Sequence, residues 1–332
     1  MEEPAASPTA PDRPIGAAID VGSNSVHLLV ARLGRRLTVL RDESVLLGLG
    51  DVVDRTGHLP PAAEASLVDA LAGYIGEARA LGAQHVSLVA TEPFRRAANG
   101  RAVAAAATQR LGLPLHILSE RQEGELTFLG VSGGAAPVRQ ILVVDVGGGS
   151  SEVVLAAPGQ PLHVISLPSG SGRLSLGIIE HDPPSAVELD ALLAAAHRLI
   201  AGLPIQRPGR AVFVGGTATN LARLAPLRRD GLALAYRALA ALPAAEVSAR
   251  YGVNLRRARQ LPAGTAIVDA ILAHFGLDEA AVSKASLRDG AIIAADRLGE
   301  GWPGRLSGYL SAAHTAAWPS PVSPAPLPPV GG

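Results

Sequence analysis

The sequence contains no cysteine, which excludes a disulfide, a thiol nucleophile and a thiolate metal site. It has no net charge, with 29 basic against 29 acidic residues. No long-range field therefore draws it to nucleic acid or to a membrane, and an anionic substrate must be held by local groups. Lysine is almost missing: Lys284 is the only one. Such a bias fits genomic base composition and weakens any inference from a single arginine. No run is long and apolar enough to span a bilayer. The opening Met1 to Asp12 is acidic and proline-rich without the apolar stretch of a signal peptide, so the cytoplasm is the expected location. No G-x-x-x-x-G-K-[ST] occurs, which excludes a Walker-type NTPase. What remains, 332 residues of which 48% are hydrophobic, is ample for two core-bearing domains.

The most informative stretch runs from Gln140 to Leu155. An aliphatic run ends in Asp145, breaks into Gly147, Gly148, Gly149, Ser150 and Ser151, and resumes after Glu152 as a second apolar run. The pattern reads as strand, tight turn and returning strand. Successive glycines let several N–H groups approach one anion. Carboxylates on both sides of such a nest would repel phosphate, so a divalent cation is expected between them. An ordinary glycine hairpin is the plainer alternative for this segment taken alone.

The pattern occurs twice. Asp20, Gly22, Ser23, Asn24, Ser25 and His27 superpose without a gap on Asp145, Gly147, Gly148, Gly149, Ser150 and Glu152, at a constant offset of 125 residues. The same offset carries Leu37, Val39 and Leu40 onto Leu162, Val164 and Ile165. Two copies of a strand-turn-strand-strand unit imply two similar domains facing each other, with one phosphate loop from each. Only the second copy has a carboxylate beyond its turn.

Along the chain, residues 1–14 read as a disordered leader, 15–135 as a first domain, 136–315 as a second and 316–332 as a proline-rich disordered tail. Pro61 opens a helix to about Leu81. The strand from His85 to Ala90 delivers Thr91-Glu-Pro-Phe-Arg95 to the end of the sheet that carries the first loop. An arginine there suits a bidentate phosphate contact, although a surface position is an equal alternative. Ser119 and Gln122 form a capping box that puts Glu123 on the first turn of a helix, where dipole complementation alone would also explain it. Ser185 and Glu188 form another. Gly215, Gly216 and Thr217, after an apolar strand, mark a third candidate anion contact at a helix start. A helix is expected from Pro262 to Phe275. Both halves begin with consecutive strands and then alternate strand and helix, so the class is α/β with a mixed sheet in each domain.

This arrangement resembles the exopolyphosphatase/guanosine pentaphosphate phosphohydrolase (Ppx/GppA) family of the actin, sugar kinase and Hsp70 superfamily. The resemblance covers roughly residues 15–300. It rests on Ala17 to Ser25, Ala90 to Arg95, Gln122 to Leu126, Val144 to Glu152, Gly215-Gly-Thr217 and Leu287-Arg-Asp-Gly290. It implies two actin-like (ribonuclease H-like) domains around a cleft, a Mg²⁺ cofactor with Mn²⁺ as an option, and Glu123 as the group that activates the attacking water. It makes Asp145 and Glu152, with Asp20 assisting, the metal carboxylates. Asn24, Arg95 and the 147–151 turn become the grip on the terminal phosphate. Gln122 stands where members often carry an acidic residue, and the loop near Leu46-Leu47-Gly48 lacks a basic residue frequent there. The sequence ends too early to hold the HD-type domain of longer relatives, so processive degradation of long chains is less expected.

The implied substrate is inorganic polyphosphate, with guanosine pentaphosphate as the alternative, no nucleic-acid or membrane partner, and a homodimer as an option. A kinase or ATPase of the same superfamily and a non-catalytic polyphosphate or alarmone sensor are the rival readings. The first lacks an obvious adenosine pocket beyond Gly215 to Thr219. Against the second stand the three intact acidic residues.

Overall fold

The repeat seen in the sequence is a repeat of architecture. The structure is a computed structural model that describes residues 13–315. The expected leader, save residues 13 and 14, and the expected tail lie outside the described residues. In the first half β1 (Ile15–Val21), β2 (Ser25–Arg32) and β3 (Thr38–Leu46) are followed by α1 (Leu49–Thr56) and α2 (Pro61–Ala80). Then come β4 (His85–Ala90), α3 (Glu92–Arg96), α4 (Gly100–Leu111), β5 (Leu115–Ile117) and α5 (Glu120–Ser132). The second half has β6 (Ile141–Val146), β7 (Ser151–Ala156) and β8 (His163–Leu167), then α6 (Ser171–Ser175), α7 (Ala186–Ile200), β9 (Ala211–Val214) and α8 (Gly215–Leu224). It closes with α9 (Arg229–Ala241), α10 (Ala244–Tyr251), α11 (Leu255–Phe275), β10 (Ala281–Val282), α12 (Leu287–Leu298) and α13 (Trp302–Thr315).

The two sheets have one topology. The first runs β3-β2-β1-β4-β5 and the second β8-β7-β6-β9-β10. In each the first three strands are antiparallel neighbours and the last two join in parallel. This is a mixed α/β architecture in two similar lobes. Parallel pairing requires helical crossovers, and these cover both faces, so β1, β6 and β7 are almost continuously apolar rather than alternating.

Three cores result. One lies beneath the first sheet against α2 and α4, around Leu28, Leu71 and Leu88. Another lies beneath the second sheet against α7 and α11, around Phe213, Leu192 and Ile271. The third joins the lobes: Ala18 and Val89 of the first sheet and Val143 and Val154 of the second share it with Leu126, Ile292 and Trp302. Helices α5 and α12 cross at its centre. They approach closely because Gly130 faces the carbonyl of Ser286 and Gly290 that of Leu126.

Local signals set the ends of these helices. The capping box of Ser119 and Gln122 is present, with Gln122 N–H donating to Ser119 Oγ at 3.2 Å and Ser119 N–H to Gln122 Oε1 at 2.9 Å. The box at Ser185 and Glu188 starts α7 likewise. A third, Ser286 with Asp289, opens α12 and explains the aspartate of Leu287-Arg-Asp-Gly290 as a cap. One expectation needs correction. Helix α11 begins at Leu255 rather than Pro262, which lies inside it and is buried.

Candidate active site

The two glycine turns are built alike. Gly22 N–H donates to Ser25 O and Gly147 N–H to Ser150 O, both at 3.0 Å. They meet face to face. A Cβ on Gly148 would come 2.6 Å from Asn24 Nδ2, and one on Gly149 would come 2.7 Å from Ser23 Oγ. Glycine allows that approach without displacing either side chain. Asn24 spends its side chain on the other lobe, accepting from Arg256 Nε at 3.0 Å and donating to Gln260 Oε1 at 3.0 Å. Thr217 lies behind the second turn: its hydroxyl bonds that of Ser171 at 3.1 Å, and Ser171 Oγ donates to Gly147 O at 3.1 Å.

Four carboxylates gather at this junction. Asp20 and Asp145 come from the ends of β1 and β6, Glu152 from β7 and Glu123 from the first turn of α5. Glu123 is 5% exposed. Burial raises Asp20 to about 7, with Arg288 opposing and Asp145 adding. It raises Asp145 to about 6 against the pull of Arg257 and Arg288. Glu152 is pushed to about 8 by burial and then by Asp145, with Ser150, Arg95 and Ser166 opposing. Glu123 is held well above the usual carboxylate range by burial and then by Glu152, with Arg95 opposing and Asp20 adding. Burial is the largest cause at all four, and acid–acid repulsion adds to it at Asp20, Glu123 and Glu152, so the nearby arginines only partly offset the raised proton affinity of the cluster.

A hard divalent cation fits this donor set. All four groups offer oxygens, and Asp20 Oδ1 is buried without a hydrogen-bond partner. No three acidic or histidine side chains form a ready-made metal cage among the described residues. Mg²⁺ does not require one, because it is usually held by one or two carboxylates together with water and substrate phosphate.

Three arginines border the cluster. Arg95 Nη1 pairs with Glu123 Oε1 and donates to Leu118 O at 2.8 Å, while its Nη2 is buried with no partner. Arg257 of α11 lies against Gly216, whose Cβ would sit 2.9 Å from its Cζ. Burial and then Arg256 lower its pKa, with Asp145 opposing. Arg288 reaches from α12 to Leu28 O at 3.1 Å and Asp42 at 2.5 Å. Gly215, with φ of +81°, packs directly on the Asp145 carboxylate.

The structure thus brings together Asp20, Ser23, Asn24, Arg95, Glu123, Asp145, Gly148, Gly149, Glu152 and Gly216, with Gly22, Ser25, Gly147 and Ser150 shaping the turns and Thr217 supporting them. Sequence reasoning missed Arg256, Arg257 and Gln260, all in the part of α11 before Pro262. Arg256 packs against Gly48, so a helix of the other lobe brings the positive charge that the Leu46-Leu47-Gly48 loop lacks. Arg288 was inside a recognised motif but had no assigned role.

Comparison with known proteins places the chain by family and fold. Exopolyphosphatase 1 of Mycobacterium tuberculosis is 30% identical over 300 residues, covering 83% of this chain and 86% of that protein. The Mycobacterium leprae exopolyphosphatase 1 is 29% identical over the same shares to within 1%. The crystal structure of the Aquifex aeolicus Ppx/GppA family member superposes with a TM-score of 0.75 at 28% identity, covering 87% of this chain and 99% of that one. A Cytophaga hutchinsonii exopolyphosphatase shares the fold, with a TM-score of 0.72 at 22% identity. The model of the Ppx/GppA phosphatase family matches residues 29–296. Paired glycine turns, a buried acid cluster and these matches lead to one conclusion: the chain belongs to the Ppx/GppA phosphatase family.

Proposed function

We propose that this chain is an exopolyphosphatase that hydrolyses the terminal phosphoanhydride of inorganic polyphosphate, with Mg²⁺ as cofactor and Glu123 as the base that activates water. The observation that carries the reading is the place of Glu123, buried in the interlobe junction beside three other carboxylates and paired with Arg95. Phosphoryl transfer asks little covalent chemistry of a protein. It asks for neutralised charge on the transferred group and a water held in line.

Asp145 and Glu152, with Asp20, would hold Mg²⁺, which when bound supplies charge neutralisation at the phosphate oxygens. The N–H groups of the two turns replace hydration lost by the terminal phosphate. Arg95 Nη2, buried and unpartnered, and Arg257 add positive charge at that group. Glu123 accepts the proton of the attacking water at its carboxylate, and Arg95 offsets part of the rise in proton affinity that burial and Glu152 impose on it.

A cavity of about 450 Å³ beside the cleft favours a second reading. Its wall includes Leu176, Leu239, Leu242 and Val247 together with Gln260, which bonds Asn24. Such a half-apolar space is of the size that takes a nucleoside, which would suit guanosine pentaphosphate. One assay separates the readings: phosphate release from short polyphosphate, long polyphosphate and guanosine pentaphosphate, with and without Mg²⁺. Release from polyphosphate that vanishes with a chelator supports the first. Release from the nucleotide alone replaces it with the second, and release from neither sinks both.

A further inference from the structure

Glu92 stands in the Thr91-Glu-Pro-Phe-Arg95 motif and has no part in the chemistry described so far. It opens α3 and is 5% exposed. Its carboxylate is fully engaged. Oε2 accepts from Ser23 Oγ at 3.1 Å, and Oε1 takes Arg173 Nη2 and Arg96 Nε. The same group is pressed against the second turn, where a Cβ on Gly149 would fall inside the carboxylate. Arg173 belongs to α6, and its backbone N–H donates to Gly148 O at 2.9 Å. One carboxylate therefore touches the first turn through Ser23, and the second both directly and through Arg173.

We propose that Glu92 is a positioning residue that sets the gap between the two phosphate-gripping turns, with Arg173 as its partner on the opposite lobe. This rests on the phosphohydrolase reading above. A carboxylate beside a phosphate site would ordinarily repel the substrate. Here Asp54 completes a balanced set: Arg96 Nη1 meets it at 2.6 Å and Arg173 Nε at 3.9 Å. Two guanidinium groups against two carboxylates present no net charge to an incoming anion. Burial also makes the contact durable, because separating a buried pair leaves an uncompensated charge.

A second strap runs parallel. Arg256 of the second lobe binds Asn24 Oδ1 at 3.0 Å and Asp51 at 2.6 Å. Asp51 and Asp54 both lie on α1, an eight-residue helix flanked by Gly48 and Gly57 in left-handed conformation. Each strap thus ties the first turn and α1 to the other lobe, at Ser23 through Glu92 and at Asn24 directly.

The test uses Glu92→Gln, Glu92→Asp and Arg173→Gln in the full chain. Because the chain lacks cysteine, spin labels can be placed at Ala65→Cys and Val187→Cys alone, exposed positions on α2 and α7 in opposite lobes. Misplacing reacting groups by an ångström costs up to about 100-fold. In E92Q we expect kcat on polyphosphate to fall about 10- to 100-fold with KM changed less than about threefold, and the interlobe distance distribution to broaden. E92D should recover part of both, and R173Q should reproduce E92Q. Unchanged turnover or an unchanged distance distribution in folded E92Q overturns the proposal. If E92Q does not fold, R173Q carries the same expectation and the same refutation. Should the unsubstituted chain hydrolyse no phosphoanhydride, the functional reading fails by itself, and the interlobe distances still decide the role of Glu92.

Discussion

Asp20 faces His27 across β1 and β2 in the register in which Asp145 faces Glu152 across β6 and β7. The duplicated unit has kept its backbone pairing and changed one partner. His27 is held neutral, its pKa pushed down to about 3 by burial, Arg288 and Arg257. A glutamate there would add a fifth buried carboxylate to a cluster whose acids burial already holds above their ordinary range. The neutral ring lets the first lobe face the second without further repulsion.

The first prediction concerns Glu123. Replacing it with glutamine keeps the size of the side chain and removes its basicity, so polyphosphate binding should survive while turnover falls about 10²- to 10⁴-fold. Steady-state hydrolysis and equilibrium binding in the same preparation check this. Near-normal turnover would remove Glu123 from the mechanism.

The acid cluster makes a second prediction, on stability against pH. Asp20 and Glu152 have folded-state values of about 7 and about 8, well above their ordinary range. The folded protein therefore binds more protons than the unfolded chain, and their contribution is lost as pH rises through those values. His27 acts with the opposite sign, but only between about 3 and 6.5, the window between its folded and ordinary values. From pH 6.5 to 8 the metal-free protein should lose on the order of 2 kcal/mol, or about 5 °C in Tm. Mg²⁺ should remove most of that loss, since it binds the ionised carboxylates. Thermal unfolding in chelator and in Mg²⁺ across this range is the measurement, and a flat metal-free profile would contradict it.

Much of this was legible in the sequence because it is local. Turn glycines, capping boxes and a gap-free internal offset are short-range features, and they place β1, β2, β6 to β8, the beginning of β3 and the start of α5, although β3 continues to Leu46, beyond the expected end at Arg41. Pro262 misled because proline usually opens a helix, whereas here it lies buried within α11. That hid the two turns carrying Arg256, Arg257 and Gln260. Contacts between lobes were out of reach for another reason. Glu92 and Arg173 are 81 residues apart, and nothing in either neighbourhood announces the pairing.

A third prediction tests the crossing of α5 and α12. Gly290 faces the carbonyl of Leu126, one turn beyond Glu123. Gly290→Ala would gain a little helix propensity, but it forces the helices apart, and overpacking of this kind costs about 1–3 kcal/mol. A lower urea midpoint with reduced turnover is expected. Gly304→Ala, within α13 and with open space around its Cβ position, is the control that should leave stability unchanged or raise it by up to about 1 kcal/mol.

The last prediction separates the two tasks of Arg95. One nitrogen holds Glu123 and the carbonyl of Leu118, and the other is buried and free for a ligand. Lysine keeps the charge but not the fork, so Arg95→Lys should still offset part of the upward push on Glu123 while losing grip on the phosphate. Its KM for polyphosphate should rise, and the acid limb of its kcat profile should stay near that of the parent. Arg95→Gln removes the charge that lowers the proton affinity of Glu123. Glu123 must then be deprotonated against burial and Glu152 without help, so the acid limb should move to higher pH. The kcat–pH profiles of the two variants measure this difference. If both limbs stay in place, Arg95 does not tune Glu123, and the ion pair serves only to seat α5.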